Sequence, residues 1–391
     1  MLPTLRNASL GVFAALLASA ATAQNPPAPV GPEAGEAMAA LQAEIDALRD
    51  RAWLPSAAVR TSFGWRDNVL LSPFAPLARG FVRGEVEAIM LRPMRDRWEL
   101  VSFLNGDVIR YFSAPPETGG EQQWVFHTEG RWQPAEPVRL SLKAVGYLRD
   151  MVVDLSETEA RRIVAPTRVR GGYLAATPRV KLPAGFRLEP MVQIKRTDYR
   201  DYAGDYDEVR QGARLEWRRS SALILSAAWS EIRRRYAQRT QYTIGGRALP
   251  GTDLRFEQRD GEAKARTAWQ AGGEWSLAAA VGRLENRDGA SGYFDFQQKR
   301  GRLELAWQRA GWRISAEGEG KRLDYRNQTV GAGLAPPPRI AEDFETLVRV
   351  EREVSERWTL FAEHRWERSR SNEIEFSYRA NTWLAGVQRN F

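Results

Sequence analysis

The chain closes on Trp383-Leu384-Ala385-Gly386-Val387-Gln388-Arg389-Asn390-Phe391. Trp383, Ala385, Val387 and Phe391 share one parity, interrupted only by Arg389, while Gly386, Gln388 and Asn390 fill the other. Alternation with period 2 predicts a strand with one apolar face. The same period runs back through the chain. Val59, Thr61, Phe63 and Trp65 alternate with Arg60, Ser62, Gly64 and Arg66. Val82, Val86, Ala88 and Met90 alternate with Arg83, Glu85 and Glu87, and Leu140 and Leu142 with Arg139, Ser141 and Lys143. Leu215 and Trp217 alternate with Arg214 and Arg218, Leu303 and Leu305 with Arg302 and Glu304, and Val348 and Val350 with Arg349 and Glu351.

At about 9–11 residues per tilted span, this pattern predicts about 16 strands between residues 57 and 391, with 14 or 18 admitted by the same spacing. The connections alternate in length. Short ones are expected at 93–97, 133–137, 182–185, 219–222, 270–274, 308–311 and 353–357. Longer polar ones are expected near 67–80, 113–123, 149–167, 198–207, 234–259, 285–296, 326–342 and 369–375. The fold class that follows is all-β, a transmembrane antiparallel up-and-down barrel with short turns at one end and long loops at the other.

Aromatic residues track the two kinds of connection. Trp98, Trp132, Trp217, Trp269, Trp275, Trp307, Trp312 and Trp358 flank the short turns. Tyr111, Phe112, Tyr147, Tyr199, Tyr236, Tyr293, Tyr325 and Tyr378 cluster at the longer connections. Amphipathic rings favour bilayer interfaces, so the expectation is two lipid-facing girdles.

The N-terminal region has a different character. Arg6, the apolar run Leu10–Ala18 and Ala21-Thr22-Ala23 form the three parts of a secretory signal peptide, residues 1–23. Residues 24–56 read as a periplasmic linker followed by a short amphipathic helix, with Met38, Leu41, Ile45 and Leu48 at heptad spacing. That helix either caps the barrel or brings three copies together as a homotrimer. The barrel would occupy 57–391, with both termini periplasmic. The chain has no cysteine, which excludes disulfides and thiolate metal sites. Its formal charge of +8 would suit a nucleic-acid partner, but the export signal argues against one.

Taken together, the signal peptide, the alternating strands, the paired girdles and the final Phe391 resemble the porin-like outer-membrane β-barrels of Gram-negative bacteria. The resemblance covers residues 57–391 and is architectural. It implies that Phe391 serves as an assembly signal read by the barrel assembly machinery. The stretch Gly64-Trp65-Arg66-Asp67-Asn68-Val69 is also similar to the first strand and loop of other barrel families, without implying a mechanism.

Little in the chain suggests catalysis. The two histidines, His127 and His364, fall on opposite parities of distant strands, and no G-x-S-x-G occurs. No cofactor or metal is expected. The loop Asp198–Glu208 is acidic and rich in tyrosine, and it reads as a solvated outer loop that meets lipopolysaccharide through divalent ions. The inward parity is the informative surface. It is read as carrying an excess of basic groups, among them Arg60, Arg66, Arg83, Arg139, Lys143, Arg168, Arg170, Arg187, Lys195, Arg214, Arg302 and Arg349. Basic rings favour anion passage. The function expected is a channel for small hydrophilic, preferentially anionic solutes, set in outer-membrane lipid and lipopolysaccharide. The alternatives are an accessory barrel for polysaccharide export or envelope assembly, and a barrel lipid hydrolase.

Overall fold

The computed structural model describes residues 53–113, 119–154, 163–200, 202–220, 222–331 and 334–391. The signal peptide, the linker and the heptad helix lie outside the described residues. The barrel strands are β1 (Leu54–Arg66), β2 (Arg79–Arg95), β3 (Trp98–Tyr111), β4 (Gly120–Ala135), β5 (Val138–Asp154), β6 (Val164–Lys181), β7 (Phe186–Tyr199), β8 (Tyr206–Arg218) and β9 (Leu223–Tyr236). After a small hairpin, β10 (Gln241–Tyr242) and β11 (Ala248–Leu249), come β12 (Arg255–Gln270), β13 (Glu274–Arg287), β14 (Phe296–Arg309), β15 (Trp312–Thr329), β16 (Pro338–Ser355), β17 (Trp358–Ser371) and β18 (Tyr378–Asn390).

Leaving out the hairpin, sixteen strands form one closed ring in which each is bonded to its chain neighbours, and β18 pairs with β1. Closure leaves no backbone edge unpaired, which a hydrocarbon environment requires. Short turns and long loops segregate to opposite ends, as the alternating spacing predicts. Turns as tight as Ala310-Gly311 join strands at one end, with φ of 47° and 76°. Positive φ at both positions matches the right-handed twist of the hairpin.

The strands run from 13 to 18 residues, longer than the span needed to cross the hydrocarbon. Two of them outlast the expectation for a local reason. With short connections at 93–97 and 133–137, β2 is expected to stop at Arg92, before Pro93, and β4 at Trp132, before Gln133-Pro134. Instead the register shifts between Arg92 and Arg95 and between Trp132 and Ala135, and pairing resumes. Proline lacks the ladder N–H, and a bulge accommodates it without ending the strand.

The two faces of the wall separate cleanly in the membrane-crossing part. Leu142, Leu174, Val192, Val281 and Leu303 are all more than half exposed and point outward. The parity beside them carries Glu87, Glu189, Lys195 and Glu363, which are buried among other inward side chains. All eight tryptophans at the short turns lie on the outward parity. Trp98 stacks on Trp132 at 5.7 Å, Trp269 on Trp275 at 6.0 Å, and Phe186 on Trp217 at 5.9 Å. Paired rings of this kind sit where amphipathic aromatics favour the bilayer interface.

The second girdle is not lipid-facing, which corrects the expectation. Tyr111, Tyr236, Tyr325 and Tyr378 are buried on the inward parity. Tyr147 also points inward, bonded to Thr197 at 2.6 Å. Of the named rings, Phe112 is exposed. The inward rings serve the loops, which fold into the mouth and need apolar partners there.

Candidate functional site: the bore and its mouth

The connection between β1 and β2, expected from the sequence as a longer polar one near 67–80, spans residues 67–78. It folds into the barrel. Asp67 accepts the Asn381 backbone N–H at 2.6 Å and its side-chain amide at 2.7 Å. Asn68 donates to the carbonyls of Ser72 and Arg379 at 2.8 and 3.0 Å and accepts from Ser72 N–H at 2.8 Å. These bonds turn the chain inward immediately after β1. Val69 then packs with Phe81, Tyr111, Phe361 and Leu384, and Leu71 with Tyr378, Ala380 and Val164. Val164 begins β6, six places around the ring from β18, so the loop bridges the mouth. Burying two aliphatic side chains favours this position by about 1.5–3 kcal/mol each.

Beneath the loop lies a polar crosspiece. Arg66 on β1 reaches Glu367 on β17 at 3.1 Å and Glu121 on β4 at 3.9 Å, and Tyr111 donates to Glu121 at 3.2 Å. The stretch from Arg66 to Val69, which sequence alone left without a role, is therefore the anchor of the inserted loop. The signal available was the apolar run Val69-Leu70-Leu71 inside a supposedly polar loop. Two other loops also contribute. Leu254 and Phe294 are buried with Tyr206, Tyr236 and Phe256.

Ten of the twelve basic residues named from sequence face the bore. Arg60 binds Gln388 at 2.5 Å and Glu87 at 3.4 Å. Arg83 pairs with Asp107 at 2.7 Å and Glu85 at 3.0 Å, and Arg139 pairs with Glu99. Arg187 pairs with Glu216 at 3.2 Å, and Arg302 with Glu317 and Glu304 at 2.9 and 3.0 Å. Arg349 pairs with Glu351 at 2.7 Å and Glu363 at 3.3 Å. Lys195 lies over the Tyr206 ring at 5.2 Å. Lys143 and Arg214 stand opposite Glu129 and Glu189 in register.

Arg168 and Arg170 do not belong to this set. The inward residues of β6 are its register partners of Tyr147 and Arg149, namely Gly171 and Val169. Arg168 and Arg170 therefore point outward, where they pair with Asp150 at 2.7 Å and Asp198 at 3.6 Å. This also employs part of the acidic loop, since Asp198 binds Arg196 at 3.0 Å as well.

The inward charges are not evenly spread around the ring. β5 to β9 carry Arg139, Lys143, Arg149, Arg179, Arg187, Lys195, Arg210, Arg214 and Arg234 against Glu189, Glu208 and Glu216. β15 to β17 carry Glu317, Glu319, Asp343, Glu345, Glu351, Glu363 and Glu367, interleaved with fewer cations. β7 and β17 are eight places apart in the ring of sixteen, directly across the bore. A basic wall thus faces an acidic one, and the low-dielectric barrel concentrates the field between them. Sequence counting could not find this, because it sums charge without ring order.

Of the histidines, His127 lies inward with Nε2 3.8 Å from Glu129, and His364 lies outward, stacked on Trp383 at 3.7 Å. Neither Nε2 has a hydrogen-bond partner among the described residues.

A wall that is apolar and belted with tryptophan outside, and charged within, is built to separate a bilayer from water. The fold is that of the porin-like outer-membrane β-barrels of Gram-negative bacteria. No family model and no curated protein matches the chain. Among solved structures, OccAB3 of Acinetobacter baumannii is similar at 8% identity and a TM-score of 0.49, over 87% of this chain and 99% of that one. An anion-selective porin from Comamonas acidovorans is similar at 9% identity and a TM-score of 0.45, over 87% and 99%. A bacterial polysaccharide outer membrane secretin is similar at 9% and 0.42, over 86% and 97%.

Proposed function

We propose that this protein is a passive outer-membrane channel for small hydrophilic solutes, narrowed at its long-loop end by the inserted loop 67–78. The short-turn end and both termini face the periplasm in this reading. The observation that carries it is the pair of opposed walls lining the bore. A transverse field of this kind orients dipolar solutes and replaces part of their hydration as they pass. No covalent step is involved.

Anion preference rests on the basic wall. Lys143, Arg149 and Arg214 have no carboxylate within 4.0 Å among the described residues, whereas Arg302 and Arg349 on the other side are paired twice each. Cations already matched by carboxylates contribute little net field. The preference is therefore modest and localised to β5–β8. The test is the zero-current potential of the purified barrel in a KCl gradient. It should have the sign for chloride over potassium, and changing Lys143, Arg149 and Arg214 together to Gln should move it toward zero. A cation-selective pore, or an unmoved potential in the triple variant, would refute this assignment. The packed mouth favours a second reading, a closed accessory barrel in export or envelope assembly.

A further inference from the structure

The outward face of β4–β12 carries a feature that conduction does not use. One row of register partners crosses it: Phe126, Gly146, Gly172, Arg196, Asp207, Arg235 and Arg255. The paired glycines put no side chain on the wall here; a Cβ built on Gly146 meets nothing within 4 Å, whereas one on Gly172 would meet the Val145 carbonyl oxygen at 2.6 Å. Just below run Leu174, Ile194 and Val209, each about half exposed, and then Arg233. Together these residues line an open groove of about 860 Å³ with apolar side chains at one end and, at the other, arginines beside the carboxylates of Asp207 and Glu257.

Its height on the barrel is informative. On β8, Asp207 stands ten residues above the girdle residue Trp217. At ~3.3 Å per residue and a tilt of ~40°, that is ~25 Å along the membrane normal, the height of the apolar band. On β4, Phe126 stands six residues above Trp132, or ~15 Å. The glycine end therefore lies among acyl chains and the arginine end at the headgroup boundary. Arg235 is held by Asp253 at 2.6 Å and Arg196 by Asp198 at 3.0 Å. Arg233 and Arg255 are exposed and have no carboxylate within 4.0 Å among the described residues. Two free guanidinium groups above an apolar trough complement a lipid that bears phosphates on a compact headgroup and several acyl chains.

We propose that this groove binds a phosphorylated glycolipid of the lipid A class, with phosphate on Arg233 and Arg255 and an acyl chain in the Gly146–Gly172 trough. Placing that lipid in the facing leaflet rests on the orientation proposed above, but binding itself does not depend on orientation or conductance. The test is native mass spectrometry of the purified barrel in mixed micelles. The probes are hexa-acyl bisphosphoryl lipid A, the same lipid with both phosphates removed, and phosphatidylglycerol. Bisphosphoryl lipid A should bind at least about tenfold more tightly than either of the others. Arg233→Gln with Arg255→Gln should remove most of that difference, and Gly146→Trp should weaken binding of both lipid A forms by filling the trough. Arg283→Gln with Lys299→Gln, also outward but away from the groove, should leave binding unchanged. Equal affinity for the dephosphorylated lipid or phosphatidylglycerol, or equal loss in the Arg283/Lys299 variant, would overturn the site. The lipid comparison uses the unaltered protein, so a variant that fails to fold cannot rescue the proposal.

Discussion

Placing an arginine at position 303 measures where the bilayer sits on this wall. Leu303 is half exposed, points outward, and lies four residues from Trp307 in the girdle. Four residues at ~3.3 Å and a ~40° tilt place it ~10 Å into a hydrocarbon band ~25 Å tall, close to the midplane. Leu305 is two residues nearer the girdle, ~5 Å deep. Arginine costs about 2–4 kcal/mol at the midplane and about 0–1 at the interface. Leu303→Arg should therefore destabilise by about 2–4 kcal/mol and Leu305→Arg by about half as much. Arg302, between them, faces the bore. Arg302→Ala gives up partly solvated contacts with Glu304 and Glu317, for about 1 kcal/mol or less. The assay is reversible urea unfolding in phospholipid vesicles, followed by tryptophan fluorescence. Equal costs at 303 and 305, or a cost at 302 matching that at 303, would refute the register and the seating together.

Removing Phe391 should leave export intact but reduce assembled, heat-modifiable protein in the outer membrane. Phe391 closes the last backbone pairing with Ala57, its N–H reaching the Ala57 carbonyl at 2.9 Å. Equal assembly with and without it would argue against an assembly signal. Deleting residues 25–52 should convert a cross-linkable trimer to monomers with the barrel still folded, if Met38, Leu41, Ile45 and Leu48 form the seam. The same cross-linked species before and after deletion would leave that helix a capping role. Changing Arg168 and Arg170 together to Gln should leave ion selectivity unmoved, because both side chains point away from the bore. A shift in reversal potential equal to that of the Lys143/Arg149/Arg214 variant would contradict their placement.

The barrel was legible in the sequence because period-2 alternation, turn length and tryptophan position are local signals that agree. The alternation of Leu303 and Leu305 with Arg302 and Glu304 needs no tertiary context to read. Legibility fails where lipid stops constraining the outward face. Above the bilayer that face tolerates charge, so Arg168 and Arg170 resemble lumen residues although their parity is that of Leu174. The aromatics fail there for the complementary reason. Tyr111, Tyr236 and Tyr378 turn inward to pack against inserted loops, a contact made between segments distant in the chain. The anchor at Asp67 and Asn68 depends on Arg379 and Asn381, more than 300 residues away, and no local pattern announces it. The opposed walls are hidden for a similar reason, since only ring closure puts β7 across from β17.

In the proposed channel the bore is narrowed by the loop that Asp67 and Asn68 tether. Single-channel recording of the purified barrel in a planar bilayer, beside a variant in which residues 69–77 are replaced by a short glycine-serine bridge, tests it most directly. A bore narrowed in this way gives small, discrete conductance steps in the native protein and larger ones in the variant, with both proteins showing the same heat-modifiable barrel. No conductance from either protein, in lipid where both barrels are folded, would contradict a channel and promote the closed accessory barrel in its place.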